Sequence, residues 1–210
     1  NGSIMMHGVI DFLLGGSSEA RFLLDNYIIK CVPMICIDGV IEGFYRVSLS
    51  GFDENRVWTD PDPVLNPIVF STKELMKSIQ REREIIYYID FHGHSRLHGT
   101  FSYGCPNEDD TDLCGNEKSL PKVLAALNDD FSLKRCVFSF PEGRKSSGRV
   151  VVRKELGVVH SFTIESSFGG AAAGPRYGLL YDENRWRIMG ASVIQSLAII
   201  LSGNEGAILE

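Results

Sequence analysis

Residues 81–99 read Arg81-Glu-Arg-Glu-Ile-Ile-Tyr-Tyr-Ile-Asp-Phe-His-Gly-His-Ser-Arg-Leu-His-Gly99. Four charged residues give way to an apolar run over 85–91, broken only by Asp90, which stops at His92-Gly93. A short, nearly continuous apolar run of this kind suits a strand buried on both faces, and the His-Gly pair marks its end. Outward from it the pattern alternates. Strands are expected at 27–35, 99–103, 136–140, 150–153 and 158–164, and helices at 3–14, 68–81, 120–131 and 183–201, the last carrying Trp186, Met189, Val193, Leu197 and Ile200 on one face. Alternating strands and helices predict an α/β sheet with helices on its faces. Residues 43–67, 106–116 and 169–178 read as loops, the second acidic and exposed.

Composition sets the limits. The chain has 210 residues, 21 Lys+Arg against 27 Asp+Glu, 44% hydrophobic and 23% charged residues. At roughly 150 residues per domain this is one domain, and the balance excludes disordered, collagen-like and coiled-coil chains. A net charge of −6 argues against non-specific nucleic-acid binding. The most apolar stretch, 191–201, is interrupted by Ser192, Gln195 and Ser196, so no membrane span is expected. Five cysteines, an odd number with no C-x-x-C pair, fit free thiols in a reducing, cytoplasmic setting. The chain starts at Asn1, without an initiator Met or a signal segment, and reads as a piece of something longer.

In α/β sheets ligands sit beyond the carboxyl ends of strands, which points to three clusters. The first is 90–96, where His92 and His94 share a strand face; they are either the start of a metal site, which needs three protein ligands and an open position, or a pair of hydrogen-bonded strand-end histidines. The second is Glu165, closing the strand 158–164: such a carboxyl is either ion-paired or raised in pKa and suited to general-base work. The third is the loop carrying Tyr45-Arg46 and Asp53-Glu54-Asn55-Arg56-Val57-Trp58, in which an arginine fork can grip a carboxylate or simply pair with Asp53 or Glu54. No G-x-S-x-G turn, P-loop or cysteine-nucleophile signature competes.

Taken in order, Val32-Pro33-Met34, Asp38-Gly39-Val40, Tyr45-Arg46-Val47-Ser48-Leu49-Ser50-Gly51, Asp53 to Trp58, Asp90 to Arg96, Tyr103-Gly104-Cys105 and Ser161-Phe162-Thr163-Ile164-Glu165-Ser166 resemble the zinc metallocarboxypeptidases, in their cytosolic carboxypeptidase branch. The resemblance runs the length of the chain; Asn1 to Gly8 resembles the helix that follows the family's first zinc motif. It implies an α/β fold with a mixed, mostly parallel central sheet and helices on both faces, residues 1–210 forming a catalytic domain that lacks its amino-terminal strands. By position it implies that His92 is a zinc ligand, Glu165 the general base and Arg46 the oxyanion arginine, with Asn55 and Arg56 binding the substrate's terminal carboxylate. The implied substrates are glutamates at the ends or branches of glutamate-rich protein tails, tubulin among them, with no nucleic-acid or membrane partner. A glutamate side chain needs a basic subsite, for which the stretch Arg144, Lys145, Arg149, Arg153, Lys154 stands out; it is either a solvated face or the subsite, and Arg149 is the contributor expected.

Two departures matter. Cys36-Ile37-Asp38-Gly39 stands where the family writes Asn-Pro-Asp-Gly, and the His-Pro-Gly-Glu motif that supplies two zinc ligands is absent and is expected before Asn1. With one ligand of three, this stretch alone is expected to bind zinc weakly and to be inactive. The alternative is a carboxypeptidase-like binding or scaffold module without a complete zinc site.

Overall fold

A computed structural model describes residues 1–107 and 115–209. Its helices are α1 (Gly2–Leu14), α2 (Ser18–Asn26), α3 (Ile37–Glu42), α4 (Pro67–Gln80), α5 (Ser119–Leu127), α6 (Gly148–Glu155) and α7 (Glu183–Leu201), with a last turn at Gly206–Leu209. Four strands, β1 (Tyr87–His94), β2 (Thr100–Gly104), β3 (Val137–Phe138) and β4 (His160–Ser167), form one sheet in the order β1-β4-β2-β3. β1 runs parallel to β4, β3 runs parallel to β2, and β2 is antiparallel to β4. The sheet is mixed and mostly parallel, as expected.

Alternation along β4 divides its residues between two cores. Phe162 and Ile164 pack with Met5, Val9, Leu23, Leu120, Leu124, Val193 and Leu197 from α1, α2, α5 and α7, and Ile89 and Phe91 of β1 join them. On the other face Tyr88 meets Trp58, Val69, Met76, Val151 and Val152, which come from α4, α6 and the loop before α4. Helices therefore cover both faces. α1 and α7 cross at backbone contact: a Cβ on Gly8 would lie 1.9 Å from the Arg187 carbonyl oxygen, and one on Gly190 would lie 1.8 Å from that of Met5. Only glycine allows that approach.

Several expectations change. Residues 27–35 form no strand. Pro33 offers no N–H for a ladder, Ile28 is 60% exposed, and the run bridges the two cores as an extended connection, Tyr27 and Ile29 resting on one and Ile35 on the other. Residues 150–153 are helical, not a strand: three consecutive valines favour β by propensity, but Val150, Val151 and Val152 are all buried in α6, so packing overrides the preference. β1 does not end at His92-Gly93, because parallel pairing with β4 continues to His94↔Ser167. α5 stops at Leu127 rather than 131, where Asn128 leaves helical geometry and ties its side chain to Asp130 N (3.0 Å) and Ser192 Oγ (2.9 Å). α2 and α3 were not expected; α2 begins at a capping Ser17 whose Oγ accepts the Ala20 N–H at 3.1 Å. Most of the acidic loop, 108–114, lies outside the described residues.

Candidate active site at the carboxyl end of the parallel strand pair

The register that pairs Tyr87 with His160 also pairs His92 with Glu165. Both lie on the face that Tyr88 and Ser161 define, since each is an even number of residues along its strand; Ser161 Oγ donates to the Arg149 carbonyl of α6 at 2.8 Å. Asp90, two residues before His92, shares that face, and its Oδ2 lies 2.7 Å from His92 Nε2. Three titratable groups thus meet at one end of the parallel pair, on the face that α6 covers.

Their charges are coupled. Burial works against a charged His92 imidazole, but the Asp90 carboxylate at hydrogen-bonding distance, with Glu165 across the rung, outweighs it and lifts the ring to about 9. Burial also raises the Glu165 carboxyl above the ordinary range; Asp90 adds to this while His92, Arg144 and Arg46 oppose it. Glu165 Oε2 is buried without a hydrogen-bond partner. An acceptor left bare in this way costs free energy and suits a base awaiting a proton from a bound water.

The third cluster holds itself together through Asp53. Asp53 Oδ2 accepts from Arg46 Nε at 2.9 Å, and Oδ1 accepts the Asn55 N–H at 3.0 Å. The Glu54–Arg56 turn is a short 3-10 helix, in which Arg56 Nη1 donates to the Asn55 carbonyl at 2.6 Å. Asn55 Oδ1 accepts the Gly148 N–H at 2.8 Å, capping α6 from 93 residues away, and keeps the amide nitrogen as a donor. Gly148 is required by close approach, because a Cβ would lie 2.6 Å from Tyr88 Oη and 2.9 Å from Trp58 Cε2.

Of the basic stretch, Arg149 alone is fully buried, while Arg153 is half-buried with its Nε enclosed. Arg149 is 5% exposed, and its Nη1 donates to the Gly104 and Ser139 carbonyls, with the Cys105 sulfur at 3.4 Å and the Tyr103 ring at 6.0 Å. No carboxylate among the described residues pairs with it. Lys145 pairs with Glu142, Lys154 lies over the Phe140 ring, Arg153 donates to Asn107, and Arg144 is exposed.

His94 serves the backbone: its Nδ1 accepts from the Arg96 and Leu97 amides, at 3.2 and 3.0 Å, and closes the turn after β1. A two-histidine site with His92 is therefore disfavoured. Among the described residues no group of three or more His, Cys, Asp or Glu could hold a metal ion. His92 nevertheless has a ligand's setting, with one ring nitrogen fixed by a carboxylate and the other, Nδ1, left for a metal. The residues fit as contributors of one ligand, not as a complete site. Asp53, expected to pair with Arg56, pairs with Arg46 instead; Asp90 lay in the cluster singled out, its i, i+2 spacing to His92 being the legible signal, whereas Gly148 was missed and had none. Cys31, Cys36, Cys105 and Cys136 are free thiols, and no helix among the described residues is long and apolar enough to cross a membrane.

No family model matches the chain. By sequence it is 37% identical over 191 residues to cytosolic carboxypeptidase 2 of Danio rerio, covering 90% of this chain and 26% of that protein. It is 38% identical over 204 residues to cytosolic carboxypeptidase 1 of Xenopus laevis, covering 91% and 17%, and 35% identical over 213 residues to cytosolic carboxypeptidase 4 of Mus musculus, covering 95% and 19%. The chain thus spans about a quarter or less of these relatives. By structure it is similar to a metallo-carboxypeptidase from Pseudomonas aeruginosa, in complex with (2-guanidinoethylmercapto)succinic acid, with a TM-score of 0.83 at 23% identity, covering 95% of this chain and 53% of that one. A metallo-carboxypeptidase from Burkholderia cenocepacia gives 0.80 at 20% identity, with 96% and 53% covered. At these identities the likeness establishes the fold.

Proposed function

Because the chain belongs to the cytosolic carboxypeptidase family over the stretch it spans, we propose that it carries the base, the carboxylate clamp and the side-chain subsite of a zinc-dependent carboxypeptidase that releases glutamate. The observation that carries this reading is the rung itself: Glu165, raised by burial and with a bare oxygen, beside a His92 already fixed by Asp90.

In the proposed reaction Glu165 takes a proton from the attacking water and passes it to the nitrogen of the departing residue. Arg46 faces the oxyanion that forms at the scissile carbonyl, an interaction worth about 3 kcal/mol of barrier when the donor is preorganised; its salt bridge to Asp53 holds the planar group. The Asn55 amide nitrogen and the Arg56 guanidinium bind the substrate's terminal carboxylate. Arg149 takes the glutamate side chain: a buried cation without an acidic partner is costly, and a substrate carboxylate would relieve that cost. Zinc, when bound, supplies Lewis acidity to the carbonyl and lowers the pKa of the attacking water. His92 Nδ1 would be one of its ligands, the remainder coming from outside the described residues.

Glutamate-rich protein tails in the cytoplasm, tubulin among them, are the substrates that fit, and the names of the relatives and the free thiols support that compartment. The test uses the full-length protein with one equivalent of zinc and peptides ending in glutamate. Glu165→Gln should lower kcat by about a hundredfold or more, and Arg149→Glu should abolish the preference for glutamate over alanine at the terminus. An unchanged preference removes the subsite assignment. Peptide binding without release by the wild type, and with no zinc retained, would favour the scaffold reading.

A further inference from the structure

Past the end of β4, among residues that the reaction above does not use, lies a cavity of about 220 Å³. Its polar lining is His98, Arg135 and Tyr177, and its walls are the small residues Ala171, Ala172 and Gly178. We propose that it is a second acidic subsite, taking a carboxylate side chain of the peptide upstream of the scissile bond. The proposal rests on the reading that the peptide is cut beside Glu165.

Charge, shape and distance support it. Arg135 spends one Nη1 hydrogen on the His98 carbonyl and pairs with no carboxylate among the described residues. Of the acids nearby, Asp130 is already taken, by Arg176 at 3.2 and 3.0 Å, and Asp129 lies beside Gly174 and also acts on Arg176. No acidic residue among the described residues lines the cavity, while an arginine, a histidine and a tyrosine do. Such a lining favours an anion.

The walls are backbone-bonded. Gly99 N donates to Gly170 O at 2.7 Å and Ser167 N to Gly99 O at 3.0 Å, Ala171 N donates to Leu179 O at 3.0 Å, and Gly178 N donates to Ala171 O at 3.3 Å. At about 220 Å³ the pocket has room for a carboxyethyl group.

Register places it at a usable distance. Phe101 pairs with Glu165, and His98 stands three residues before Phe101. The chain turns at Gly99 (φ 81°), so those three residues span at most about 10 Å, a distance that an extended peptide crosses in about three residues. The third side chain upstream of the cut is the one that reaches the cavity.

The test measures kcat/KM of the full-length protein on peptides ending in glutamate, with glutamate or glutamine at the third position upstream. Wild type should prefer glutamate there by about fivefold, the size of a half-exposed charge pair. Arg135→Glu should cancel or invert that preference, and His98→Asn should weaken it, with two-residue substrates unaffected. The same preference in wild type and Arg135→Glu, or an equal loss on the two-residue substrate, would overturn the subsite. Anisotropy of the labelled peptides reads the same comparison as binding. A glutamate preference that appears in binding and is lost in Arg135→Glu, from a protein that cleaves nothing, would sink the carboxypeptidase reading and keep the subsite.

Discussion

Replacing Lys73 by Met should cost about 3 kcal/mol of stability, and the structure says where that figure comes from. Lys73 is 4% exposed, yet its Nζ donates to the Trp58 carbonyl at 2.8 Å, the Thr59 carbonyl at 2.8 Å and Glu155 Oε2 at 2.7 Å. Hydrogen bonds to a charged group are worth about 1.5 kcal/mol each, so the two carbonyls account for about 3. Glu155 is 40% exposed, and solvent screening limits its ion pair to about 0.5 kcal/mol. Methionine keeps the apolar stem and its packing, so what is lost is the pin on residues 58–59, which follow Arg56 after Val57. Urea unfolding should show a lower midpoint with an unchanged slope, and KM for glutamate-ending peptides should rise with kcat nearly constant. Glu155→Gln should cost less than about 1 kcal/mol. A Lys73→Met variant within about 1 kcal/mol of wild type would refute the reasoning, since water would then be reaching carbonyls held to be dry.

Other outcomes follow from the same geometry. Gly148→Ala should destabilise by about 2 kcal/mol through the forced contact with Tyr88 and Trp58, and should weaken terminal-carboxylate binding through Asn55; equal urea midpoints would contradict it. His160 stacks on Tyr87 at 4.6 Å, and burial holds its pKa below 6.5, Arg153 helping and Glu84 opposing. Unfolded chains therefore take up this proton first as pH falls through 6.5, and the stability of the neutral ring, complete above that pH, is lost below it. His160→Phe should lose less stability than wild type between pH 7 and 5, as read by thermal denaturation; matching slopes would exclude the effect. In the neutral form His92 should carry its proton on Nε2, facing Asp90; nitrogen-15 NMR reads that tautomer, and Asp90→Ala should mix it with the other. An unaltered tautomer ratio in the variant would show that Asp90 does not set it.

The strand that became β1 and the helix Glu183–Leu201 were legible because each is a long element with a strong pattern, and the latter's bounds match the reading. Elements where local preference and packing disagree were misread. The three valines of α6 prefer a strand but are buried in a helix whose cap comes from Asn55. Residues 27–35 read as a strand because an apolar run has no way to announce that it lacks a partner.

The sequence by itself determined the family, the order of the motifs and the identity of the chemically capable side chains, because these depend on residue type and spacing. Tertiary structure alone decided that His92 and Glu165 share a rung, that Asp90 takes His92 Nε2, and that Arg149 is buried while Arg144, Lys145 and Lys154 stay exposed. Those are consequences of parallel register, of the two-residue alternation of strand faces and of which helix covers which face. Each is set by contacts between segments far apart in the chain, and no local stretch of sequence contains them.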